Sequence, residues 1–153
     1  MDMLTNLREE TVDDLQDLIR VNIDSCKGFR HAADEVNNPQ LEHFFRECAD
    51  QRNRFAGELR KYVQMNDEDA EDSGSIKGKM HRWWLDMRSK MQDHDAHAVL
   101  SEAERGEDFI KGRYERVLDD TKDSPINTVI ANQYREVKSI HDRVRDLRNI
   151  TAG

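Results

Sequence analysis

The chain has 153 residues, 36% of them hydrophobic and 37% charged, with a net charge of −8. That length suits one domain with a single core, and the balance is that of long amphipathic helices rather than of a sheet. The acidic charge lacks the basic footprint of generic nucleic-acid binding, and two cysteines make no disulfide framework.

Seven Gly and two Pro leave few breaks, so the elements must be few and long. The first ten residues carry an early acid and no apolar run, against a secretory signal. No apolar stretch approaches the ~18–20 residues needed to span a bilayer. A cytoplasmic location, with both thiols reduced, is the expectation.

The first helix is predicted from about Glu9 to Val36. Its apolar stripe, in steps of three and four, is Val12, Leu15, Ile19, Ile23, Cys26, Phe29, Ala33 and Val36. Asn37, Asn38 and Pro39 break it, with Asn38 suited to an N-cap and Pro39 to the first helical position. The second helix runs to about Met65, with Leu41, Phe44, Cys48, Gln51, Phe55, Leu59 and Tyr62 along its face.

Residues 67–72 carry five acids, and Ser73, Gly74 and Ser75 follow, as in a solvated linker. A short helix is predicted over 76–91. It has Ile76, Met80, Trp83, Trp84, Met87 and Met91 on one face and five basic residues on the other. The third long helix spans about Asp95 to Asp119, with the stripe Leu100, Ala103, Glu107, Ile110, Tyr114 and Val117. Ser124 and Pro125 repeat the cap chemistry. The fourth helix runs to about Ile150, along Ile126, Val129, Gln133, Val137, Ile140, Val144 and Leu147.

The expected architecture is all-α: a single domain over 1–153 made of two antiparallel hairpins, about 9–66 and 95–150. The connection over 67–94 is too long for a tight turn and can travel the length of the bundle. Such a crossover marks a ferritin-like four-helix bundle rather than a simple up-down one.

Each long stripe is interrupted once near its middle, by Cys26, Gln51, Glu107 and Gln133. The intervals from Cys26 to Gln51 and from Glu107 to Gln133 are 25 and 26 residues. This repetition reads as an internal duplication with one polar layer through the centre. Metal-binding ferritin-like bundles build that layer from one Glu on each of two helices and Glu-x-x-His on the other two. The i, i+3 spacing points both ligands inward, where they can hold two iron or manganese ions.

Several stretches carry a resemblance: Gly28 to Ala33, Gln51 to Ala56, Glu104 to Asp108, Gln133 to Val137 and His141 to Arg145. Together, from about Leu15 to Leu147, the chain resembles a bacterial family of small ferritin-like four-helix bundles whose function is not established. The resemblance implies the ferritin-like fold and loosely suggests a place in stress physiology. When the ligand scheme is laid on this sequence, most ligands are missing. Cys26 stands at one Glu position, Gln51-x-x-Arg54 and Gln133-x-x-Glu136 stand for the Glu-x-x-His pairs, and Glu107 alone is retained. His141 lies eight residues beyond Gln133, roughly 12 Å along the helix, too far to substitute.

A guanidinium is always charged and cannot ligate a metal. The expectation is therefore that Arg54 replaces the ions, pairing with Glu107, Glu136 or both, while Gln51 and Gln133 complete the hydrogen bonds. The favoured function is a non-enzymatic bundle acting as an interaction or stress-associated module, without cofactor, as a homo-oligomer or with a protein partner. One alternative is an iron- or manganese-dependent oxidase or iron-handling protein with residual ligands Glu107 and Glu136. A second is docking on a membrane or an acidic partner through Trp83, Trp84, Met87 and Met91.

Three further features have bland readings. Cys26 and Cys48 face one core, with Cys48 about a turn out of level, so packing is expected rather than a disulfide. Asp93, His94, Asp95 and His97 could form a surface metal site, although acids at a helix start are favoured by the dipole. No nucleophile–base pair, phosphate loop or thiol redox motif is visible.

Overall fold

The computed structural model describes residues 3–72 and 96–151. Within them the chain forms a short 3-10 turn (Met3–Thr5) and four long helices: α1 (Glu9–Glu35), α2 (Pro39–Met65), α3 (Ala96–Asp120) and α4 (Asn127–Thr151). The predicted helix over 76–91 and its tryptophans, together with Asp93, His94 and Asp95, lie outside the described residues. No strand occurs among the described residues, and no helix there is long and apolar enough to cross a membrane.

Local chemistry fixes the helix ends. The Asn38 side chain accepts from the backbone N–H of Gln40 and Leu41 at 3.0 and 3.1 Å, with Pro39 in the first turn. At the far end of α2, Asp67 takes a left-handed conformation with φ 59°. The N–H groups of Asp67 and Glu68 return to Gln64 and Val63, the pattern of a Schellman cap. The Asn66 side chain then ties down the N-terminal segment, accepting from Leu7 N–H and donating to the Leu4 carbonyl. Before α4, Ser124 Oγ accepts from Ile126 N–H at 3.3 Å, and Asn127 Nδ2 donates to the Leu118 carbonyl at 3.0 Å.

Contacts between helices give their directions. Phe29 stacks on Phe45 across the first hairpin, and Tyr114 bonds Gln133 across the second. Phe29 and Ala33 share one core cluster with Leu100 and Ala103, and Leu15 and Ile19 share the other with Tyr114 and Val117, while Arg54 meets Glu136 and Phe44 meets Arg143. Hence α1 is antiparallel to α2 and α3, and α4 is antiparallel to both as well. Helices α2 and α3 run the same way, so the end of α2 and the start of α3 lie at opposite ends of the bundle.

The core divides in two. One half gathers around Phe29, Phe44, Phe45, Cys48, Leu100 and Val144, near the α1–α2 turn. The other gathers around Leu15, Ile19, Phe55, Leu59, Tyr114, Ile126 and Ile130, near the α3–α4 turn. Fully burying one such Leu, Ile or Phe side chain contributes about 1.5–3 kcal/mol, so both halves are strongly driven. Between them lies a belt of buried polar side chains: Asn22, Ser25, Arg52, Glu107 and Gln133.

Candidate functional site

Helix register decides which side chains meet in the belt. The first turn has its midpoint at residue 37, so Cys26 and Cys48 stand equally far from it. Cys48, not Gln51, is therefore level with Cys26. The second turn has its midpoint between residues 123 and 124, which puts Gln133 level with Tyr114, and Glu107 level with about Ile140. The four interruptions thus do not share a single layer. Gln133 and Glu107 belong to successive levels, about 10 Å apart at 1.5 Å per residue.

The first level is built on Arg52. Its side chain has no exposed surface, and Nη2 donates to Glu107 Oε2 at 2.8 Å. Nε donates to the oxygen of half-buried Gln51 at 3.1 Å, and the guanidinium carbon lies 5.7 Å from the centre of the Phe29 ring. Nη1 has no partner among the described residues. Burial pushes the Glu107 carboxyl up from its ordinary value, and the Arg52 charge opposes that push.

The second level is a hydrogen-bond chain that touches all four helices. Asn22 Nδ2 on α1 donates to the Tyr114 hydroxyl of α3 at 2.8 Å. Tyr114 Oη donates to Gln133 Oε1 of α4 at 2.7 Å. Gln133 Nε2 donates to Glu58 Oε1 of α2 at 2.8 Å. Asn22 Nδ2 also donates to the Leu18 carbonyl at 2.8 Å. Burial drives the Tyr114 hydroxyl above its usual range, so it stays protonated and can serve as both acceptor and donor.

The expected pair of Arg54 with Glu136 forms, but at the surface and not as the occupant of the core. Arg54 is 63% exposed and meets Glu136, itself 53% exposed, at 3.3 Å on the surface. Arg54 does not reach Glu107, and Glu107 and Glu136 are not brought together. Two residues along a helix is a rotation of about 200°, so an arginine at 52 and one at 54 cannot share a face. The i, i+3 pattern from Gln51 pointed to the wrong one. The missed signal is a second stripe on α2: Phe45, Ala49, Arg52, Ala56, Leu59 and Val63 are all buried and spaced by three and four.

Other candidates are placed as follows. Cys26 and Cys48 are free and buried. Burial pushes both thiols up, Cys48 more strongly, away from the reactive thiolate. His97 Nδ1 lies 3.0 Å from the Arg148 carbonyl and 3.3 Å from Thr151 Oγ1, against the end of α4. His141 is far from the Gln133 level, but it packs on α3, with Nε2 2.5 Å from Asp108 Oδ1 and Nδ1 3.2 Å from Asp142 Oδ1. Burial alone would lower its pKa, yet hydrogen bonds with those two carboxylates raise it overall.

The belt and the directions of the helices define a class: an all-α bundle of four long helices whose two apolar halves meet at a filled, hydrogen-bonded centre. Residues 10–120 match the family described as Domain of unknown function (DUF2383), and the chain belongs to that family. The match takes in α1, α2 and α3, and with them Asn22, Arg52, Glu107 and Tyr114. No curated protein matches the chain.

Proposed function

We propose that the protein is a ferritin-like bundle whose di-metal centre has been replaced by a side-chain ion pair. On this reading it is non-catalytic and acts through its surface as an interaction module, with another copy of itself or a protein partner. The parallel run of α2 and α3, which requires a long crossover, supports the ferritin-like part. One observation carries the rest: Arg52, without exposed surface, donates to Glu107 at 2.8 Å. A fixed cation there fills the space and neutralises the carboxylate that a metal would need.

The residual-metal alternative needs Glu107 and Glu136 to converge, and Glu136 is held at the surface by Arg54. Elemental analysis after expression with added iron and manganese tests the choice, together with light scattering for the assembly state. The expected result is no stoichiometric metal that depends on Glu107. Iron or manganese at one or two equivalents, lost in Glu107→Gln while circular dichroism stays helical, would overturn the reading.

A further inference from the structure

Away from the buried belt, on the outer seam between α3 and α4, three ligand-type side chains converge. Glu104, Asp108 and His141 each offer one donor atom, and these atoms all lie within 4.8 Å of one another. Glu104 and Asp108 are one turn apart on α3, so their carboxylates leave the same face. His141 reaches across from α4 and places Nε2 2.5 Å from Asp108 Oδ1. Its side chain is only 12% exposed, whereas that of Asp108 is 61% exposed, so the cluster is walled on the imidazole side and open at Asp108.

This is a mixed set, not a patch of acids, and a residue outside it orients the imidazole. Asp142 Oδ1 lies 3.2 Å from Nδ1. With Nδ1 held by Asp142, Nε2 is the nitrogen that can ligate once it gives up its proton, the carboxylate–imidazole arrangement that supports metal ligands. Without a metal, an Nε2 proton bridges the 2.5 Å gap to Asp108 as a charge-assisted hydrogen bond, and an ion would take the place of that proton. Arg148 meets Glu104 from one side. It is partly exposed and water-screened, unlike Arg52, and a carboxylate has a second oxygen to give.

We propose that Glu104, Asp108 and His141 form a surface site for one divalent transition-metal ion of the zinc or manganese kind, which clamps α3 to α4. One imidazole and two carboxylates suit a first-row ion, with water in the remaining positions, better than magnesium or calcium, which prefer all-oxygen sets. The site is distinct from the bundle centre and does not depend on the reading of that centre.

The test is titration of the metal-free full chain with Zn2+ at about pH 8, where proton competition for an imidazole is weak enough for a metal ion to displace it. Saturable binding of one equivalent is expected, weakened at least about tenfold in Asp108→Asn and in His141→Gln. Asp108 is a surface residue, so its variant keeps the fold, as circular dichroism would verify. In a parallel NMR titration, Mn2+ should broaden the amide signals of residues 104, 108 and 141 first. Absence of saturable binding, or binding unchanged in both variants, overturns the site and leaves the proposed function standing. Zn2+ retained in Asp108→Asn but lost in Glu107→Gln would overturn both.

Discussion

Arg52 and Arg54 stand two residues apart on α2, and each meets a glutamate from the other hairpin. Arg52 is fully enclosed and bonds Glu107 at 2.8 Å; Arg54 is 63% exposed and meets Glu136 at 3.3 Å. The chemistry of the two pairs is the same, and the solvent is not. At the surface, water and salt screen the attraction, and ordering two long side chains consumes much of what is left. In the belt both ions have lost their water, so each is tolerable only while the other is present. The difference separates a pair that the fold depends on from one that it merely carries.

The largest effect should come from breaking the inner pair on one side. Glu107→Ala leaves the Arg52 charge buried and unpaired and should destabilise the protein by about 3–5 kcal/mol in urea denaturation. Replacing both partners together, as Arg52→Met with Glu107→Leu, should recover stability to within about 1 kcal/mol of the parent or raise it by up to ~4 kcal/mol. A double variant as damaged as the single one would show that the belt needs charge for a reason other than mutual compensation.

Next comes the neighbouring level. Tyr114→Phe removes the hydroxyl that accepts from Asn22 and donates to Gln133, taking one bond from the Asn22 Nδ2 group and the hydroxyl donor from Gln133 Oε1. A loss of about 1–3 kcal/mol in the same denaturation assay is expected. A negligible loss would mean that the amides find other partners and that the chain of bonds does not act as a unit.

A smaller effect is expected where α1 passes the end of α3. Burial first, and then the charge of Asp120, raise Asp14 to about 6. Between pH ~4 and ~6 the folded protein therefore holds a proton that the unfolded chain has released. The stability this proton confers is full below the unfolded pKa and is lost as pH rises through about 6. Asp14→Asn should match the parent near pH 4 and exceed it at pH 7, by no more than about 1 kcal/mol after solvent screening. Thermal melts at the two pH values would check the sign. A variant advantage that shrinks as pH rises would refute it.

The smallest effect belongs to the outer pair. Arg54→Ala should cost about 0.2–1 kcal/mol, and less at 1 M salt than at 0.1 M. A loss as large as that of Glu107→Ala would erase the contrast between the two arginines.

The long helices were legible in the sequence because their signals are local. Runs of three and four spell out the apolar faces, Asn38 with Pro39 starts α2, and Ser124 caps the approach to α4. The observed ends fall within about a residue or two of the expected ones, α4 beginning just after its cap at Asn127. The presence of something polar at mid-bundle was legible too, from Glu107 and Gln133 breaking their stripes. Its composition was not. Asn22 and Arg52 sit at stripe positions of α1 and α2 that read as surface chemistry, because a single helix does not reveal how wide its buried arc is.

Four long helices, two hairpins and a polar interruption are written in the order of the residues, since each depends on contacts a few residues apart. Which arginine is enclosed, and which glutamate it answers, follows from packing between helices, as does the level of Gln133 with Tyr114 rather than with Glu107. Those outcomes depend on how four helices are rotated and slid against one another. A step of two residues turns a side chain from the core to the solvent, and a shift of one turn changes its partner.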